Sequence, residues 1–404
     1  MKKQSKEKSL FVWLANPKTY FVSCLVLLMQ YVTQAQVLTS SARVSLITVS
    51  PGDELYSSYG HSAIRVLDAV QGIDKVYSWG VFDFTEPNFY TNFLRGKLRY
   101  LCAPDRIDYI LYGASLEDRA VQESTLNLSQ TQKQRLFEIV QANLLPENRH
   151  YQYDFFYDNC ATRIRDVLQK TCGDSLRFVP TDANLTFRQQ LQAAMPRKPW
   201  VSMGMNMVLG ASTDVLVSDA QEMFLPNNLC DAFLNAKLID RPLVEQTNDL
   251  RTETNPRPKS YDPSAALCLM ALAVAVGVLT WWQVQNKVQN WWFDRLFFGL
   301  AGLAGSLILF LWLGTDHQTT RPNWNIAWLV PSHLVVVFWL KKTPPNWLKQ
   351  YFKINFWLAA AAASVFAGVY FSQTTALQGV DLLFFPLLAV ILTRSYFIFK
   401  PAHV

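Results

Sequence analysis

The chain has 404 residues, of which 50% are hydrophobic and 17% charged, and its formal net charge is +6. That length allows two domains, and a high apolar content beside so few charges points to one water-exposed part and one membrane part. The positive excess is spread in short Lys and Arg clusters. It therefore excludes one basic nucleic-acid-binding face and fits membrane topology instead.

At the amino terminus, Lys2, Lys3, Lys6 and Lys8 precede an apolar run from Tyr20 to Val32 and a small-x-small site at Thr33-Gln34-Ala35. This is the pattern of a secretory signal peptide. An uncleaved anchor extended by Phe11 to Leu14 is the alternative, and either one exports the domain behind it. From Val37 to about Arg257 the chain alternates strand-like stretches (Val44 to Val49, His61 to Leu67, Val76 to Phe84) with helical ones, as an α+β domain does. Ser129, with Gln132 three residues on, forms a capping box, and Leu136, Ile139, Val140 and Leu144 recur behind it on one helical face. Cys24 lies in the signal and Cys268 in a hydrophobic stretch. Cys102, Cys160, Cys172 and Cys230 lie in the exported part, where an oxidising compartment permits a disulfide whose pairing the sequence does not reveal.

A polar, proline-containing stretch between Gln246 and Asp262 marks the boundary, giving expected domains of 1–35, 36–260 and 261–404. Five spans are expected after it, at about Ala265 to Val284, Leu296 to Leu313, Trp324 to Leu340, Phe356 to Phe371 and Val380 to Phe399. Lys287 and Arg295 flank the first connection, Lys341, Lys342, Lys349 and Lys353 fill the third, and Arg394 and Lys400 lie at the end. The second connection carries only Arg321, and the fourth carries no basic residue. Positive loops inside place the amino-terminal domain outside and the carboxyl terminus in the cytoplasm, and Trp281, Trp282, Trp291 and Trp292 fit an interfacial belt.

The residues that carry chemistry are His61, in Tyr59-Gly60-His61-Ser62-Ala63, and Cys160, in Asp158-Asn159-Cys160-Ala161-Thr162-Arg163. A thiol attacks as thiolate, so Cys160 needs a neighbour that takes its proton, and His61 is suited to that by residue type. The apolar spacing of Ala161, Ile164, Val167 and Leu168 makes Cys160 a first-turn residue, capped by Asp158 or Asn159, where helix amides stabilise a thiolate. A buried structural cysteine and a satisfied histidine remain the plain alternatives.

The segments YGHSAIRV, VYSWGVFDF and YDFFYDNCATRIRD resemble the permuted branch of the NlpC-type papain-like superfamily, to which lecithin retinol acyltransferase also belongs. More closely, the chain from about Val44 to its end resembles the Lnb family of bacterial lipoprotein N-acyltransferases. The segments Phe224-Leu225-Pro226, Thr315-Asp316-His317 and Asn323-Trp324-Asn325 add to that likeness. The resemblance implies a periplasmic α+β papain-like domain, circularly permuted, followed by an α-helical five-span transmembrane domain in the bacterial inner membrane. It further implies Cys160 as nucleophile and His61 as general base, with a third polar residue on the next strand, where Ser78 stands and, further on, Asp83. Tyr56, Ser57 and Tyr59, with Asp53, would line the cleft along with Asn159. Arg163 or Arg165 would meet a phosphate, and His317 in the outer loop of Asp316, Arg321, Asn323 and Asn325 would form a lid or head-group contact. Turn residues and solvated charges are the other reading of these positions.

The partners implied are a phospholipid acyl donor and a diacylated apolipoprotein, with no nucleic acid, no cofactor and no metal, since one His and one Asp are too few ligands. A papain-like cell-wall peptidase or amidase, or a non-catalytic lipid or lipoprotein receptor, are the competing functions.

Overall fold

The computed structural model describes residues 36–400 apart from 83–84, 98, 181–183, 257–259, 289, 342 and 373–380. The signal or anchor segment, and Asp83, lie outside the described residues.

The amino-terminal domain runs β1 (Arg43–Val49), β2 (His61–Asp68), β3 (Ile73–Val81), α1 (Phe89–Leu94), β4 (Arg99–Asp105), α2 (Ile107–Leu116), β5 (Val121–Leu126), α3 (Gln130–Leu144), β6 (His150–Gln152) and α4 (Cys160–Cys172). β7 (Leu176–Arg177) precedes α5 (Phe187–Ala194), α6 (Pro199–Val208), α7 (Asp219–Glu222) and α8 (Pro226–Asn235). β8 (Lys237–Leu238) and β9 (Arg241–Pro242) join β7 in a small sheet, and β10 (Val244–Arg251) closes the domain. The main sheet has the order β10-β5-β1-β2-β3-β4-β6 and is antiparallel throughout.

Alternation along the strands loads both faces of this sheet. Leu46, Ile64, Val66 and Trp79 join a core with Leu136, Phe137 and Val140 of α3 and Ala161, Ile164 and Leu168 of α4. Ile47, Val49, Ala63 and Val76 join Ile107 and Ala114 of α2. Each such side chain removed from water contributes about 1.5–3 kcal/mol, so both helical layers are held to the sheet by burial. The expected capping box closes α3: Ser129 and Gln132 exchange side-chain and backbone hydrogen bonds. β3 begins earlier and ends earlier than its apolar run suggests. Gly80 takes φ of 85°, open to glycine at little cost, and the pairing with β4 shifts register between Ser78 and Val81.

The carboxyl-terminal region contains three helices long and apolar enough to cross a bilayer: α9 (Ser264–Gln285), α10 (Trp292–Leu313) and, after the short α11 (His333–Val336), α12 (Asn346–Ser372). α13 (Phe384–Phe399) is apolar but shorter. The expected third span, Trp324 to Leu340, is not one helix. It folds as 3-10 turns at Trp324–Ala327 and Val337–Trp339 around α11. Pro331 lacks an N–H for a continuous ladder, and Asn325 and His333 turn inward and are fully buried. The irregular backbone lies against α10, where glycines leave room for it. A Cβ on Gly305 would stand 1.9 Å from the Leu329 oxygen, and one on Gly302 2.3 Å from the Leu334 nitrogen. Non-helical backbone at membrane depth is tolerated where protein covers it in this way.

Arg394, expected as a loop charge, is instead buried inside the helical region. Its guanidinium donates to both carboxylate oxygens of Asp294 at 2.6 Å, and to Thr280 Oγ1 and Gln283 Oε1 at 2.8 Å, tying α13 to α9 and α10. A pair with all its donors engaged is the form in which buried charge is sustainable.

The two regions are clamped together by polar groups at the carboxyl end of α6. Asn323 Nδ2 donates to the Met207 and Val208 carbonyls at 3.0 Å, and Asn325 Nδ2 to that of Met207 at 3.0 Å, satisfying helix-end acceptors. Gly210 N donates to Thr319 O at 2.8 Å, and Asn206 Nδ2 to Asp381 Oδ2 at 3.0 Å. Below them the buried Arg188 holds Asp214 Oδ1 at 2.8 Å and the Asn206, Leu209 and Gly210 carbonyls at 3.0 Å.

Candidate active site

Cys160 opens α4. Asn159 is the N-cap, and all four of its side-chain hydrogen bonds are made. Oδ1 accepts from the Ala161 and Thr162 amides at 2.8 and 2.9 Å, and Nδ2 donates to the Phe155 and Phe224 carbonyls at 2.7 and 2.8 Å. This corrects the expectation of Asn159 as a cleft residue: it is buried and committed, and its work is to fix where Cys160 starts the helix.

The Cys160 sulfur receives the backbone N–H of Ser62, together with those of Ala161 and of Cys160 itself. The thiol therefore lies at the start of β2, against the residue that follows His61. At the same end of the strand, His61 Nε2 is 3.3 Å from Ser78 Oγ. Ser78 pairs with Ala63, so it is the diagonal cross-strand neighbour of His61 on one sheet face. The start of α4 and the His61–Ser78 pair thus both lie at the end of the sheet where β2 begins.

Burial decides their charge. It lowers the His61 pKa to about 4, with help from the Arg119 guanidinium, so the imidazole is neutral near pH 7. Burial also raises the Cys160 thiol above its ordinary value, although the three amides oppose this. The thiolate expected from the helix position is therefore not the resting form. Both groups therefore rest neutral, Cys160 as thiol and His61 as imidazole.

Other expected residues are occupied elsewhere. Ser57 is buried and donates to Glu117 Oε2 at 2.7 Å, which corrects its reading as a cleft contact. Tyr56 is exposed and donates to Glu117 Oε1 at 3.0 Å. Tyr59 donates to Met205 Sδ at 3.3 Å and borders a cavity of about 280 Å³ also lined by Leu185, Gln190, Leu225 and Asn228. Arg163 forms a two-pronged ion pair with Asp158, and its guanidinium lies 4.0 Å above the Tyr151 ring, so it is not a free phosphate ligand. Asp53 pairs with Arg197 at 2.9 Å, and Arg165 with Asp166. His317 lies over Gly96, 3.1 Å from where a Cβ would stand, in a loop tied to α1 through Asp316 N and the Arg95 carbonyl at 2.9 Å. Asn323 and Asn325 are buried interdomain ties and not head-group contacts. Cys102, Cys172 and Cys230 are buried free thiols, and no disulfide occurs among the described residues.

Tyr151 and Tyr153 were not singled out by sequence. An isolated bridge pairs Asp154 with Asp158 just before the cysteine, and Tyr153 is near enough to Cys160 for their charges to interact. The Tyr151 hydroxyl is buried with no hydrogen-bond partner among the described residues, near enough to Cys160 for their charges to interact. The only sequence signal was their place in the aromatic run before the cysteine.

Residues 29–191 match the Lnb N-terminal periplasmic domain, and residues 257–401 match the Lnb transmembrane domain. The chain belongs to the Lnb family. Comparison with curated proteins and with solved structures finds no match. The Lnb domains correspond to the sheet-and-helix domain that carries Cys160 and to the apolar helical region beneath it. Together they describe a membrane-anchored protein with a periplasmic domain, of the type that modifies lipoproteins.

Proposed function

We propose that this Lnb protein is a lipoprotein N-acyltransferase whose permuted papain-like domain uses Cys160 and His61. The observation that carries the reading is a buried cysteine on the first turn of a helix, near the strand that His61 begins, in a domain clamped to a region of membrane-length helices. A dry thiol at the bilayer surface suits acyl transfer to an amine, because water competes poorly for the thioester.

The first step joins Cys160 Sγ to the acyl carbon of a phospholipid. The thiol proton passes to His61 Nδ1 as the bond forms, since Nε2 is held by Ser78. The acyl–oxygen bond then breaks, and His61 returns the proton to the departing lysophospholipid oxygen. In the second step the α-amine of a diacylglyceryl-cysteine attacks the thioester. An amide forms, the carbon–sulfur bond breaks, and the amine proton returns through His61 to sulfur. The Cys160 amide and the Tyr151 hydroxyl stabilise the oxyanion in both steps.

The catalytic domain faces the periplasm from the inner membrane and the carboxyl terminus is cytoplasmic. The chain crosses five times, with the broken segment 324–340 as the third crossing. Two features support this. Lys287, Lys341 and Lys400 lie in alternate connections, with Lys349 and Lys353 in the opening turns of α12 beside the second of them. The broken segment also runs antiparallel to α10, from Leu329 at Gly305 to the Leu340 carbonyl, which accepts from Arg295 Nε at 3.0 Å.

The test uses purified protein, phospholipid vesicles and a synthetic diacylglyceryl-cysteine lipopeptide, with its α-amine free or acetylated. Gain of one acyl group on the free-amine peptide alone is expected. Gain on both, or on neither, contradicts N-acyl transfer.

A further inference from the structure

Five aromatic rings form a continuous stripe from the membrane boundary to the catalytic cysteine. Phe93 stacks on Phe89 at 6.4 Å, Phe89 lies 5.8 Å from Phe82, Phe82 meets Tyr100 edge-on at 5.4 Å, and Tyr100 stacks on Tyr153 at 4.3 Å. Tyr153 immediately precedes the Asp154–Asp158 bridge that leads into α4, and is near enough to Cys160 for their charges to interact. The other end is fixed to the membrane region just after α10. Asp316 N donates to Arg95 O, Lys97 faces the Asp316 carboxylate at 3.7 Å, and Gly96 packs under His317. On the same short helix, Tyr90 is 78% and Phe93 55% exposed, so large apolar side chains stand in the open where the bilayer surface begins. Phe82, Tyr100 and Tyr153 remain only partly buried along the way.

A run of incompletely covered rings is unfavourable in water, at about 25 cal/mol per Å² of apolar area, and becomes favourable when an apolar chain covers it. We infer that this stripe is the track on which the donor's long acyl chain lies as its ester carbonyl reaches Cys160, with α1 dipping into the outer face of the bilayer. The occupant follows from continuity: one end of the stripe is at the membrane region and the other near the nucleophile, and of the rings along it Phe93, Phe82, Tyr100 and Tyr153 offer apolar surface while Phe89 is buried. The inference rests on the acyltransferase reading and specifies the part of the donor that the site grips. It is the hydrocarbon, not the head group, in keeping with the commitment of Arg163 to Asp158.

The test compares two donors by intact-mass detection of acyl-Cys160 in the full-length protein: a long-chain phosphatidylethanolamine in vesicles, and a water-soluble short-chain phosphatidylcholine. The variants are Tyr90→Asp with Phe93→Asp, both exposed and tolerant of change, and Phe82→Asn midway. Long-chain acylation is expected to slow by about tenfold or more while short-chain acylation stays within about twofold of wild type, since only the long chain uses the stripe. Unchanged long-chain acylation, or equal loss on both donors, overturns the track. Wild type that acylates with neither donor overturns the thioester chemistry itself, a result distinct from failure of the track.

Discussion

His61 and Ser78 face each other diagonally across β2 and β3, Nε2 to Oγ 3.3 Å, so the partner of that ring nitrogen is a hydroxyl. A hydroxyl holds the ring but contributes little charge to an imidazolium. Ser78→Ala is therefore expected to lower kcat by about tenfold with KM little changed, the loss of one orienting hydrogen bond. Steady-state transfer to a synthetic lipopeptide measures it.

The neutral resting pair has a pH signature. Protonated His61 is not a base, and its protonation lies at about 4, so acylation of Cys160 should rise through about pH 4 and stay level across the neutral range. Because burial raises the thiol, ultraviolet thiolate absorbance assigned by Cys160→Ala should be absent at pH 7. A rising limb near the ordinary histidine value, or thiolate at neutral pH, would show a different charge state.

Tyr151 tests the oxyanion assignment. Tyr151→Phe keeps the ring under Arg163 and removes only the unpartnered hydroxyl, so the fold should be unaffected and acylation slower by about 10²-fold, as for loss of one oxyanion donor. A hydroxyl without a catalytic part would leave the rate unchanged.

In the membrane region, Arg394→Met leaves Asp294 buried without its partner and is expected to cost about 3–5 kcal/mol. Arg394→Met combined with Asp294→Leu should recover much of that. Thermal unfolding in detergent separates the two variants.

Local signals made much of this architecture legible from sequence. The box of Ser129 and Gln132 marked α3, alternation marked β1 and β2, and the apolar period after Asn159 placed Cys160 on the first turn of α4. What remained hidden depends on partners distant in the chain. Hydropathy reads Trp324 to Leu340 as a helix because it cannot show that Gly302 and Gly305, some twenty residues earlier, admit irregular backbone beside them. Arg394 looked like a loop cation because Asp294, 100 residues away, is invisible to a local window. The same holds within the site. Asn159 was recognised as a cap, but the Phe224 carbonyl that occupies its other end, and the Glu117 that engages Ser57, are tertiary facts. The helix amides around Cys160 and a buried cysteine were both foreseeable, but which of the two effects prevails depends on the tertiary packing around the thiol.

The most direct test of the central claim is intact-mass spectrometry of a synthetic diacylated lipoprotein after incubation with phospholipid and either wild-type protein or Cys160→Ala. The expected result is a mass gain of one acyl group on the amino-terminal cysteine with wild type and none with Cys160→Ala. Equal gain with the folded variant would contradict a thioester on Cys160, and no gain with folded wild type would contradict N-acyl transfer.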